Sequence, residues 1–195
     1  MWLYHVGKLV VRIVFFFTFR IRAAGKENIP KDGGAILAVN HRSNWDVIVA
    51  GLTCPRTLRF MAKAELFENK LFGTLIKHLG AFPVHRGQGD IGAIRAALKK
   101  LREHHVMLMF PEGHRMRRQG RVKAKPGVAM LAIQAKVPVI PVYLSGEYKW
   151  MHRITARYGE PITFEEYYGK KPEPETLQNL SDGILDSIYQ LGEEC

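Results

Sequence analysis

Cysteine is nearly absent from this chain of 195 residues. Only Cys54 and the terminal Cys195 are present, with no metal-ligand spacing and no paired framework. A disulfide scaffold and a thiolate metal site are thereby excluded, and a reducing, intracellular setting fits better. Acidic residues are scarce over the first four-fifths: residues 1–159 hold 9 Asp and Glu against 27 Lys and Arg. An apolar run of about 20 residues, the length a spanning helix needs, is also missing. So are internal repeats, low-complexity tracts, a zinc-finger pattern, an aromatic RNA-binding signature and a basic recognition helix, which argues against a nucleic-acid-binding module.

What is present is an ordinary globular composition, 47% hydrophobic and 24% charged, in a length that suits a single core. The net charge of +11 is unevenly spread, because residues 160–195 reverse the balance with 9 acidic against 2 basic side chains. A basic body with an acidic end favours an anionic partner: nucleic acid, an anionic membrane surface or a phosphorylated small molecule.

At the N-terminus, His5, Lys8 and Arg12 interrupt apolar runs that end in Phe15, Phe16 and Phe17. On a helix these three polar side chains fall within roughly 60° of one another, leaving Leu3, Val6, Val10 and Phe17 around the rest. Such a pattern predicts an amphipathic helix in the lipid interface over residues 1–23, with Arg20 and Arg22 beside anionic headgroups. The remaining chain, 24–195, reads as one domain.

Within that domain, short apolar runs predict strands at residues 33–40, 58–62, 81–84, 105–110, 137–144 and 154–158. Helical segments are expected at 46–52, 69–79, 88–103, 126–136 and 175–191. Strands alternating with helices imply an α/β architecture with a mixed, mostly parallel sheet flanked by helices. The run Val137-Pro138-Val139-Ile140-Pro141-Val142 carries two prolines, which remove ladder donors, so an edge or bulged strand is expected there.

Candidate chemistry sits after the strands, where α/β proteins place their sites. In Asn40-His41-Arg42-Ser43-Asn44-Trp45-Asp46 a histidine precedes an aspartate by five. With His41 in the turn and Asp46 in the first helical turn, the carboxylate can fix the imidazole tautomer and leave the other nitrogen to take a proton from an alcohol. Ser43-x-x-Asp46 equally has the spacing of a capping box, which makes Asp46 a helix-start residue. A second cluster, Phe110 to Arg118, brings Glu112, Gly113 and Arg115 to a neighbouring strand end. Arg115 can bind phosphate oxygens bidentately, and Glu112 can hold that fork or accept from a substrate hydroxyl. A third, Gly80 to Gly87, places Arg86 after a short strand, where it is either a second phosphate ligand or a surface residue.

Taken in order, NHRSNWD, FPVHR, FPEGHR and VPVIPV resemble the glycerolipid acyltransferase family, above all the bacterial 1-acylglycerol-3-phosphate acyltransferases, over roughly residues 25–145. The chain departs from the family pattern at His114, usually Thr, and Met116, often Ser. The resemblance implies a glycerol-3-phosphate acyltransferase-like fold, His41 as base with Asp46 orienting it, and Arg86, Glu112, Gly113 and Arg115 at the acceptor site. It implies acyl-CoA or acyl carrier protein as donor, with no metal or other cofactor, and a lysophosphatidate acceptor. The setting implied is peripheral or monotopic, on the cytoplasmic face of the cell membrane. Glycerol 3-phosphate, other lysophospholipids, or non-catalytic binding of lipid or nucleic acid are the alternative readings.

Overall fold

Strands β2 (Ala35–Val39) and β5 (Val106–Met109) are apolar almost throughout, a composition that suits strands covered on both faces. They lie side by side at the middle of a seven-stranded sheet in the computed structural model, which describes residues 13, 15, 17–84, 91–115 and 122–193. The other strands are β1 (Arg20–Ala24), β3 (Leu58–Lys63), β4 (Ala81–Val84), β6 (Val139–Ser145) and β7 (Arg153–Tyr158). Their order is β1-β7-β6-β2-β5-β3-β4, and every pair is parallel except β6 with β7. Helices α1 (Asp46–Thr53), α2 (Lys70–His78), α3 (Ile91–Arg102), α4 (Gly127–Ala135) and α5 (Pro174–Glu193) complete the expected α/β architecture.

Side chains that alternate along each strand divide the core into two layers. Ile36, Ala38, Met107 and Val139 pack with residues of α3, α4 and α5, such as Leu101, Ile133 and Ile184. Leu37, Val39, Leu108 and Ile140 face the other way, onto Val49 and Ala50 of α1 and onto Phe15 and Phe19. Because β2, β3, β5 and β6 run in one direction, the loops that follow them open at a single rim.

Two expectations are corrected. Residues 20–23, read from sequence as the end of an N-terminal helical segment, belong to β1, which pairs in parallel with β7. Its alternating exposure, with Arg20 and Arg22 outward and Ile21 and Ala23 packed against the core, is strand periodicity too short to stand out among arginines. The expected helix over residues 1–12, and positions 14 and 16, lie outside the described residues. Among the described residues, no helix is long and apolar enough to cross a membrane.

The second correction concerns the edge alternative for β6, which is interior, with β2 on one side and β7 on the other; the bulged alternative holds, since the pairing shifts by one residue between Val139 with Ile162 and Val142 with Tyr158. Pro141 is tolerated because its nitrogen falls on the β7 side, one residue before the β6–β7 register begins at Val142 and Tyr158. Its carbonyl accepts from the Gly159 N–H at 2.9 Å, while the carbonyls of Pro138 and Val142 accept from Ile36 and Asn40 of the β2 segment. Pro83, by contrast, sits in β4 at the edge of the sheet, where a lost donor costs little.

At the end of β2 the ladder continues through a side chain. Asn40 is 1% exposed; its amide donates to the Leu144 carbonyl at 3.1 Å and its oxygen accepts from the Leu144 N–H at 2.7 Å. Asn40→Ala leaves a buried N–H without this partner, so chemical denaturation should show a loss of about 1–3 kcal/mol. A change within a few tenths would mean that Asn40 does not tie β2 to β6.

Candidate active site

The turn between β2 and α1 is organised by a carboxylate. Asp46 is the first residue of α1 and is 1% exposed. Its Oδ2 accepts from the Arg42 and Ser43 backbone N–H groups, each at 2.6 Å, and lies 3.0 Å from Nδ1 of His41. Its Oδ1 accepts from the Tyr148 hydroxyl at 2.5 Å. An ionised carboxylate only accepts, so Nδ1 carries the proton and Nε2 presents a lone pair. The His41 ring stacks on Phe110, with centroids 3.8 Å apart at 14°, which fixes its plane.

The two sequence readings of Asp46 therefore coexist. Half of a capping box is formed, since the carboxylate reaches back to the Ser43 N–H. The serine half is not: Ser43 Oγ accepts from Trp45 at 3.3 Å, while the Asp46 N–H donates to the Ser43 carbonyl at 3.2 Å. The same oxygen that starts the helix also orients the imidazole.

Glu112 reaches the same turn from the next strand, β5. It too is 1% exposed. Its Oε2 accepts from the His41 N–H at 3.0 Å, and its Oε1 from the Tyr189 hydroxyl of α5 at 2.5 Å. Both oxygens thus brace the turn beneath His41; each keeps a further lone pair, so the expected roles of holding the Arg115 fork or meeting a substrate hydroxyl are not displaced by the brace. Gly113 closes the turn at φ 74°, where its N–H donates to the Phe110 carbonyl at 3.0 Å and an added Cβ would meet Lys125 at 2.9 Å. Arg115 is exposed beyond it. Arg86 lies outside the described residues.

Sequence reasoning passed over Tyr148, Tyr189 and Arg42. The Arg42 guanidinium bonds the carbonyls of Leu144 at 3.3 Å and Gly146 at 3.0 Å, tying the His41 turn to the end of β6. Neither tyrosine stands at a spacing that would point to a carboxylate far away in the chain. Burial, followed by the adjacent carboxylate, pushes the Tyr148 and Tyr189 hydroxyls well above the ordinary phenol range, so both remain donors. A separate cavity of about 690 Å³ opens beyond Phe15 and Phe19, lined also by Phe17, Arg20, Arg22 and Leu52, and does not include His41.

Burial raises the Glu112 carboxyl above its usual value, outweighing the hydrogen bonds from Tyr189 and His41 that pull it down. Between the ordinary and the raised value the folded chain holds more protons than the unfolded one, so stability falls as pH rises through that window. Glu112→Gln should flatten this fall in melting temperature measured across mildly acidic to neutral pH. A fall of unchanged size would remove Glu112 as its cause.

Comparison with known proteins bears on the family and the fold. The acyltransferase family model matches residues 20–145, from β1 to the end of β6. The chain is 28% identical to 1-acyl-sn-glycerol-3-phosphate acyltransferase of Bacillus subtilis over 187 residues, covering 93% of this chain and 92% of that protein. It is 31% identical to the enzyme of the same name from Streptococcus pneumoniae, covering 95% of this chain and 71% of that one. The crystal structure of the 1-acyl-sn-glycerophosphate acyltransferase of Thermotoga maritima shares the fold, with a TM-score of 0.68 and 23% identity over 97% of this chain and 78% of that one. A sheet of this topology, a family model spanning most of it, and relatives aligned along nearly the whole chain lead to one assignment: the protein belongs to the acyltransferase family.

Proposed function

We propose that this chain transfers a fatty acyl group from acyl-CoA or acyl carrier protein to the free sn-2 hydroxyl of 1-acylglycerol 3-phosphate, forming phosphatidic acid. The observation that carries the reading is the 3.0 Å contact between His41 Nδ1 and Asp46 Oδ2, which leaves Nε2 as a base at the strand rim. The names of the relatives supply the acceptor class.

In the proposed step, Nε2 takes the proton of the acceptor hydroxyl while its oxygen attacks the thioester carbonyl carbon. A C–O bond forms, the tetrahedral oxyanion collapses, the C–S bond breaks, and the thiolate leaves with the proton from Nε2. The Asp46 charge compensates the imidazolium between the two transfers. No acyl-enzyme is needed, and Ser43, whose Oγ accepts from the Trp45 N–H, is not the nucleophile. Arg86 and Arg115 are the proposed ligands of the acceptor phosphate, with Gly113 shaping the turn that carries Arg115.

A lipid acceptor requires the rim to meet a bilayer. Exposed apolar side chains support this: Ile13 and Phe17 precede β1, and Trp45 stands next to Asp46 at the start of α1. The basic body of the chain favours an anionic surface, and peripheral or monotopic association on the cytoplasmic face is the setting proposed. The cavity bounded by three phenylalanines and Arg20 and Arg22 has the mixed apolar and cationic character that suits a lipid.

Purified protein offered lysophosphatidate, other lysophospholipids and glycerol 3-phosphate, each with both thioester donors, should yield phosphatidic acid from the first, read by mass spectrometry. Thiol release with none of these acceptors would defeat the reading, and salt-sensitive nucleic-acid binding in its place would revive the rejected class.

His41→Ala should lower turnover by at least about 10²- to 10⁴-fold with the fold retained by circular dichroism. Full activity in that variant would remove the base. In Asp46→Asn the amide oxygen still accepts from the Arg42 and Ser43 N–H groups, so a large loss of turnover with little change in melting temperature is expected. A change confined to melting temperature would leave Asp46 as a helix-start residue alone. Neutral substitution of Arg115 should raise KM for phosphorylated acceptors more than kcat falls; an equal effect on an unphosphorylated acceptor would dissociate Arg115 from the phosphate.

A further inference from the structure

The carboxylate of Asp46 has two ends, and only one touches His41. Oδ2 gathers two backbone donors and the imidazole, whereas the donor to Oδ1 is the hydroxyl of Tyr148, from the loop between β6 and β7. With Asp46 at 1% exposure, that hydroxyl replaces the water such an oxygen would otherwise bind. The Tyr148 ring is itself held, edge-on to Phe19 with centroids 5.9 Å apart at 87°. Phe19 packs on Phe15 at 5.2 Å, and Phe15 on Trp45 at 5.5 Å, beside the first residue of α1. The hydroxyl is thereby fixed in direction by packing on a different part of the chain from the one that carries Asp46.

We propose that Tyr148 is a positioning residue for acyl transfer, acting through Asp46 to hold the carboxylate plane that orients His41. This rests on His41 being the base. Rotation about the Cβ–Cγ bond moves both oxygens together, so the donor on Oδ1 adds to the three on Oδ2 in resisting it and in keeping a lone pair directed at Nδ1. The hydroxyl also takes a share of the negative charge, and so sets how strongly Oδ2 draws on the Nδ1 proton. Burial and the neighbouring carboxylate keep Tyr148 protonated, which preserves the donor. Tyr189 donates to Glu112 in the same way, but Glu112 meets the His41 backbone N–H and not the ring, so the inference is confined to Tyr148.

Tyr148→Phe keeps the ring against Phe19 and deletes one hydroxyl. In the full chain, kcat should fall about tenfold to a hundredfold, as for loss of a hydrogen bond to a charged group, with KM for both substrates within about twofold. The Nδ1 proton of His41, followed by NMR in protein labelled with ¹⁵N-histidine and assigned by its loss in His41→Gln, should move from its wild-type position. A lowered kcat at constant KM together with a displaced resonance supports the inference. An unchanged resonance overturns it whatever the turnover, and so does a loss carried by KM. If the wild-type chain transfers no acyl group, the proposed reaction fails, while the resonance still decides whether Tyr148 acts on the dyad.

Discussion

Four donors converge on the carboxylate of Asp46, and the site depends on that convergence. Two are backbone N–H groups of the turn after β2, one is the imidazole of His41 and one is a tyrosine from the far side of β6. A buried anion is costly unless its oxygens are bonded, and here every bond that meets the cost also fixes a neighbour. The turn is shaped by the same oxygen that orients the ring. Helix start and histidine tautomer are for that reason not independent features of this chain.

The sheet supplies what local chemistry cannot. Adjacent parallel strands end on one side, so the loops after β2 and β5 meet although 71 positions separate His41 from Glu112. Glu112 then supports the His41 backbone from below, while Phe110, two residues earlier, covers the ring from the side. Each carboxylate is completed by a phenol from a later part of the chain: Tyr148 for Asp46 and Tyr189 for Glu112. The two phenols are raised by their burial and stay donors, whereas Glu112 is raised by its own burial against the pull of the Tyr189 and His41 hydrogen bonds. Arg42 and Asn40 close the arrangement by fastening the start of the turn to Leu144 and Gly146 at the end of β6.

The interior position of β6 is part of the same construction. An edge strand there would leave nothing to carry Tyr148 back across the rim, because the β6–β7 connection is what brings it over Asp46. Pro141 is compatible with this placement only because its missing N–H falls where the β6–β7 ladder has not yet begun. β1 adds a strand outside β7 and sets Phe19 against Tyr148, so the segment that precedes the sheet is packed onto the residue that holds the carboxylate.

Most elements were legible in the sequence within a residue or two, since apolar runs and helical spacing are local properties and the core mostly obeys them. The His41 and Asp46 pair was legible as well, because only four intervening residues confine where the two can lie. β1 escaped notice because five residues with alternating arginines carry too short a period, and the edge alternative for β6 failed because proline was weighed without knowing which side its nitrogen faces. The strands and helices from β2 onward, in their succession along the chain, and a histidine able to meet an aspartate, were determined by the sequence alone. The bracing of the His41 turn by Glu112 and the recruitment of Tyr148 and Tyr189 were decided by the tertiary structure, through contacts spanning 71, 102 and 77 positions. Contacts at such separations depend on strand order and loop path, which no local spacing encodes.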